Sequence, residues 1–253
     1  MSARRSILHT LSLATVFRLV RLALSFGLTC LLARHLGRSG FGEIGVAMAV
    51  VSILVCIGEL GFGRYTVREL VRLPDQQADV LGNTILARVI VSVVLFTGLM
   101  LWIVLAQPEG AILLSVYALQ LLTHPSTEVF AWLEANDRVK SMVTAQFTGF
   151  LVSAACIAVG IWMKAPLWFF AFTYALEGWI FIVLCGVVFR QNGGRVRFTA
   201  FRWSRAFQLI SRSWPELASQ AALLLHFRHD IAMIQWLRGS EEAVVYSAAV
   251  RVS

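Results

Sequence analysis

The stretch "NTILARVIVSVVLFTGLMLWIVL", Asn83–Leu105, decides the fold. It runs for 23 residues and carries one charge, Arg88. A helix rising about 1.5 Å per residue makes this stretch about 35 Å long. The hydrocarbon core of a bilayer is about 30 Å thick, so the stretch is read as a membrane span.

Working outward, a span needs about 20 mostly apolar residues. That criterion gives six complete spans, at about 11–33, 42–62, 83–105, 110–132, 142–163 and 167–189. A seventh runs from about 214 to 237, and an eighth begins near Ala243 and is cut off at Ser253. The expected fold class is all-α and polytopic: a six-helix N-terminal bundle, a seventh helix and a truncated eighth. Residues 1–189 form the first bundle, 190–213 a basic cytoplasmic connector, and 214–253 the start of a second bundle. From Ala243 to Ser253 a helix climbs only about 16 Å, which leaves a free carboxylate inside the membrane. The expectation is the front part of a longer protein, or a truncated one, with an interfacial tail as the alternative.

Composition agrees. The chain is 58% hydrophobic and 14% charged, whereas soluble domains are usually about 45–50% apolar and about 25% charged. The net charge is +8, and 20 of the 22 cationic residues are arginine. In a soluble protein that balance suggests nucleic acid. No nucleic-acid-binding motif is present, and membrane proteins gather cations in their cytoplasmic loops. With the N-terminus inside, the inner segments hold 13 Lys and Arg residues and the outer segments hold 4. The N-terminus is therefore read as cytoplasmic. It begins like a signal peptide, with Arg4 and Arg5, but Arg18 and Arg21 interrupt the apolar run and no cleavage site follows. It is read as a retained first span.

Trp102, Trp162, Trp168, Trp214 and Trp236 lie near span ends, where amphipathic rings anchor. Pro125 falls inside the fourth span and predicts a kink or break. The stretch "RQNGGRVRFTAFRWSRAFQLISRS", Arg190–Ser213, is the longest polar one. It reads as a connector, partly an interfacial amphipathic helix, whose arginines meet anionic headgroups. Cys30, Cys56, Cys156 and Cys185 sit in apolar runs without metal spacing and are read as small buried hydrophobes.

Soluble catalytic signatures are missing: there is no P-loop, no HExxH, no Gly-x-Ser-x-Gly and no dinucleotide fingerprint. The glycines of "GELGFG", Gly58–Gly63, are read as ending or loosening a helix. What remains is charge inside spans, which costs about 2.5–3.5 kcal/mol per residue on insertion scales. In span one, Thr15, Arg18, Arg21, Ser25 and Thr29 fall within an arc of about 120°. Arg18 and Arg21 are one turn apart, so their heads can converge. They either snorkel to the interface or face a central cavity; the shared hydroxyls favour the cavity. Guanidinium offers phosphate a planar fork of donors.

In span seven, Glu216, Ser219, His226, His229 and Asp230 share one helical face, while Arg228 points away. That face is read as lining a wet interior, or as a polar network between helices. A His-Asp pair can bind a proton. No third ligand is placed for a metal, so no metal site is assigned. Glu59, Glu128 and Glu177 are further acids in spans two, four and six. Each balances an arginine or takes a proton or sodium. Arg88, near the inner end of span three, is expected to snorkel.

Three stretches carry a family likeness: "LARHLGRSGFGEIGVAMAV" (Leu32–Val50), "GELGFGRYTVREL" (Gly58–Leu70) and "FRHDIAMIQWLRGSEEAVVYSAAVRVS" (Phe227–Ser253). They resemble the first two helices and the seventh and eighth helices of polysaccharide flippases. These form the O-antigen and polysaccharide branch of the multidrug/oligosaccharidyl-lipid/polysaccharide exporter superfamily. The resemblance implies a multi-pass transporter of the bacterial inner membrane, built from two six-helix bundles. Its substrate would be an oligosaccharide on undecaprenyl pyrophosphate, moved from the cytoplasmic to the periplasmic leaflet by alternating access. Arg18, Arg21, Arg228 and His229 are the candidates for a cationic groove. His229 departs from the family pattern, which often has a small or hydroxyl residue there. Asp230, Glu59, Glu128 and Glu177 are candidates for ion coupling or charge balance.

The partners expected are lipid-linked oligosaccharide, the bilayer and polysaccharide polymerase or export machinery. No nucleic acid, cofactor or enzymatic activity is expected. The alternatives are a cation-coupled multidrug exporter of the same fold, a membrane glycosyltransferase or ligase, and a non-transporting scaffold.

Overall fold

A computed structural model describes residues 2–198, 209–220 and 222. The described residues are mostly helical, joined by short turns and connections, and hold no strands. Helix α1 is Ser2–Gly58, α2 Phe62–Arg72, α3 Gln77–Ala106, α4 Ala111–Thr123, α5 Thr127–Ala135, α6 Val139–Trp162 and α7 Leu167–Gln191. Residues 209–220 are helical as well. Arg228, His229, Asp230 and the eighth helix lie outside the described residues.

Five stretches are long and apolar enough to cross a membrane: Thr15–Gly37, Ser39–Arg72, Pro74–Ala106, Val139–Trp162 and Leu167–Gln191. The chain is an all-α, multi-pass membrane protein. Helix α1 contains the first of these stretches and the opening part of the second, which continues into α2. They are separated at Gly37, whose φ of 69° and ψ of −175° suit glycine and few other residues.

The fourth predicted span, 110–132, is present in two pieces. Helix α4 ends at Thr123, a tight turn covers His124–Ser126, and α5 carries on to Ala135. Pro125 is the cause, because it has no N–H to donate and its ring crowds the preceding turn. Span two is also interrupted. Helix α1 stops at Gly58, and Leu60 and Gly61 take positive φ of 52° and 67° before α2 begins. The reading of Gly58–Gly63 as a helix end holds.

The packing is that of a bundle clothed in apolar side chains. Leu32, Val51, Tyr117, Leu121, Phe170 and Ala171 anchor one cluster across α1, α4 and α7. Leu70, Leu81, Leu133 and Phe189 anchor a second, at the end where α3 begins and α5 finishes. Meanwhile Val16, Leu19, Leu22, Val104, Leu105, Val183 and Trp162 are exposed. An outward apolar coat is costly in water and expected against lipid.

Two readings are corrected here. Of the cysteines read as buried, Cys185 is buried, Cys56 and Cys156 are intermediate, and Cys30 is exposed. In a bilayer protein an apolar run also coats the outside, so apolar neighbours do not imply burial. Arg88 does not snorkel. It is 2% exposed and held inside the bundle.

Candidate functional site

The charged groups inside the bundle pair across helices. Arg88 projects from α3, five residues into the predicted span, toward α5. Its Nε lies 2.8 Å from Glu128 Oε1, with side-chain exposures of 3% and 1%. Its Nη1 donates to Thr127 Oγ1, and that hydroxyl donates in turn to the His124 carbonyl at 2.8 Å. The guanidinium carbon stands 5.9 Å from the centroid of the Phe62 ring, within the range of cation–π attraction. The Pro125 turn is what rotates Thr127 and Glu128 toward Arg88. Among the described residues Arg88 Nε and both Glu128 oxygens have no aligned hydrogen bond, so the contact is an ion pair held by charge rather than by directed bonding.

Two other pairs stand nearby. Glu59 Oε1, at the interruption of span two, lies 3.9 Å from His124 Nδ1, with side-chain exposures of 31% and 20%. Arg21 Nη2 donates to Glu177 Oε1 at 2.8 Å. The Arg21 guanidinium also stands 5.4 Å from the Phe150 ring centroid. Its side chain remains 42% exposed, so it is anchored at its tip while part of its length stays accessible.

Of the predicted site residues, the structure brings Arg21 to Glu177 and Glu128 to Arg88, and sets Glu59 against His124. Arg18 is exposed on α1 and is not drawn into these pairs. Glu216 and Ser219, from the polar face predicted for span seven, line a cleft of about 460 Å³ against α2 and α5, together with Arg64 and Glu134. Among the described residues no group of three His, Cys, Asp or Glu is arranged to hold a metal.

Sequence reasoning missed three participants: Arg88 as an interior residue, His124 and Thr127. One signal was available. Arg88 and Glu128 each lie about one turn inside the same end of their predicted spans, so their depths match. Two opposite charges at equal depth in neighbouring apolar helices are better placed to pair than to snorkel.

The family model described as polysaccharide biosynthesis protein matches residues 8–253. The chain belongs to that family. No curated protein and no solved structure matches it. For a polysaccharide biosynthesis protein with this helical, membrane-crossing fold, the pattern of interior charge is informative. Its interior charges, Arg88 with Glu128 and Arg21 with Glu177, sit between helices. Family and fold together point to a transporter-type protein.

Proposed function

We propose that this protein moves a lipid-linked oligosaccharide, a sugar repeat carried on undecaprenyl pyrophosphate, across the bacterial inner membrane for surface polysaccharide synthesis. The N-terminus would be cytoplasmic, in line with the bias of Lys and Arg. The polymerase or export machinery of the same polysaccharide would act on the delivered product. The family match over residues 8–253 carries this reading.

The physical problem is the headgroup. A pyrophosphate cannot enter hydrocarbon, because an unpaired charge there is too costly. A groove of guanidinium groups can replace its water while the lipid tail stays in the bilayer. Arg18 and Arg21 would supply that function from the first span, and Arg228 and His229 from the seventh span predicted from the sequence. Arg21 fits the role because it is held by Glu177 yet remains partly accessible. On arrival of a phosphate it exchanges one anionic partner for another, so the residue is never left uncompensated. Glu177 would then need a second cation or a proton, which is one way a coupling ion enters the cycle; Asp230, Glu59 and Glu128 are the other acids available for that task.

The test is export of surface polysaccharide by cells carrying Arg18→Ala together with Arg21→Ala. Export should fail while membrane insertion and protein level stay normal. Normal export by this variant would refute the cationic groove.

A second reading, a cation-coupled exporter of drugs, is favoured by one observation. Glu59 stands 3.9 Å from His124 Nδ1, as an acid available to a small cation would. It predicts drug sensitivity in a Glu59→Gln strain with unchanged surface polysaccharide.

A further inference from the structure

The chain beyond the first bundle is seated on it at two glycines. At the first seat, a Cβ on Gly61 would come within 2.4 Å of the Ser213 carbonyl oxygen and 2.7 Å of the Leu217 nitrogen. At the second, a Cβ on Gly82 would come within 2.2 Å of the Arg197 carbonyl oxygen. Backbone meets backbone in both places, which any side chain would prevent. Each seat is also bonded. Ser213 Oγ donates to the Leu60 carbonyl at 2.7 Å, and Arg197 N donates to the Ala78 carbonyl at 3.0 Å. Residues 195–198 and 209–217 therefore strap the ends of α1 and α3 at one end of the bundle.

Between this strap, α2 and α5 lies the 460 Å³ cleft. Thr127, whose hydroxyl accepts from Arg88, lies on its wall, and Arg64 and Glu216 approach each other across it at 3.8 Å. That ion pair is of a different kind from the one behind Thr127. Arg64 is 86% exposed, and exposed pairs are weak and readily broken. Arg88 and Glu128 are sealed, and such pairs resist separation. A weak closure thus stands in front of a strong, dehydrated charge pair.

We propose that Arg64–Glu216 and the Ser213–Gly61 seat form a releasable latch, and that its opening admits water past Thr127 to the Arg88–Glu128 pair behind it. The latch rests on the transporter reading, since a protein that alternates access needs one contact between its halves that breaks and reforms. It gives the 209–220 segment the moving role and leaves the α3–α5 ion pair as fixed framework.

The experiment uses the full chain in nanodiscs, so both faces are open, with the four native cysteines replaced by alanine. Ala131→Cys, at a buried position on the cleft wall, is the probe and an impermeant maleimide the reagent; Asp75→Cys, on an exposed residue outside the cleft, is the control that labels fast in every background. Labelling at 131 should be slow with the latch intact and about fivefold faster with Glu216→Arg. Adding Arg64→Glu should restore the slow rate, which general unfolding would not do. Gly61→Ala should speed labelling without altering charge, and Ser213→Ala should do so if Gly61→Ala fails to fold. Equal rates in all variants, or no restoration by the charge swap, would overturn the latch. Labelling needs no substrate, so it judges the latch alone; polysaccharide export by the Arg18 and Arg21 variant judges the transport reading alone.

Discussion

Arg88 and Glu128 stand forty residues apart in the chain and 2.8 Å apart in the fold, each almost wholly sealed from solvent. The pair ties α3 to α5 immediately after the Pro125 turn. Removing one partner would leave the other as an unpaired buried charge, at a cost of about 3–5 kcal/mol. Arg88→Met should therefore lower thermal stability sharply in detergent. Arg88→Met with Glu128→Leu should recover most of the loss, because a buried ion pair is often replaceable by apolar residues of similar size. A double-mutant cycle on melting or denaturant curves measures this; additive losses would disprove the coupling.

Thr127 contributes through a hydroxyl that accepts from Arg88 and donates to the His124 carbonyl. Thr127→Val keeps the shape and removes both bonds. It should cost about 1–3 kcal/mol, since the guanidinium N–H is left without an acceptor in a dry site. Thr127→Ser, which keeps the oxygen, should cost clearly less. The check is the same unfolding assay, and equal losses for the two variants would show that packing rather than bonding matters.

Helices α4 and α7 touch where Gly178 meets Thr123. A Cβ on Gly178 would stand 2.7 Å from Thr123 Oγ1 and 3.2 Å from its Cβ and Cγ2. Gly178→Ala should destabilise by about 1–3 kcal/mol through overpacking. Thr123→Ala in the same chain should relieve it by removing two of the three crowding atoms. Small residues at helix crossings in membranes serve this close approach.

Arg21 and Glu177 should behave differently from Arg88 and Glu128. With side-chain exposures of 42% and 23%, their bond is screened and should add at most about 1 kcal/mol. Glu177→Gln should thus leave the melting temperature nearly unchanged while altering surface polysaccharide export. A large drop in stability with normal export would make the pair structural.

Orientation can be read with cysteines placed in a background free of the native ones. Glu109→Cys lies at an end predicted to face outward, and Asp137→Cys at one predicted to face the cytoplasm. In intact spheroplasts an impermeant thiol reagent should label position 109 and spare 137 until the membrane is broken. The reverse pattern would invert the topology.

Much of this architecture is legible in the residues alone. The length of an apolar run against the thickness of hydrocarbon yields a span, and Asn83–Leu105 becomes part of α3 for that reason. Pro125 announces the break between α4 and α5, because the missing N–H is a property of the residue and not of its surroundings. Gly58–Gly63 announces the end of α1 for a related reason: left-handed backbone is open to glycine.

Partnership is not local in this sense. Arg88 looks like a snorkelling residue in sequence, since a long side chain near a span end reaches the headgroups at little cost. Whether it does depends on which helix stands beside it, and α5 stands there with Glu128. Likewise nothing in the order of residues sets Ser213 against Leu60, or makes Gly61 and Gly82 seats for a returning backbone. The sequence by itself determined what each segment is, a span, a break or a basic connector, because those follow from solvation and from backbone chemistry residue by residue. The tertiary structure alone decided which charges are paired and which stay accessible, because an ion pair inside a bilayer is a property of two helices and the distance between them.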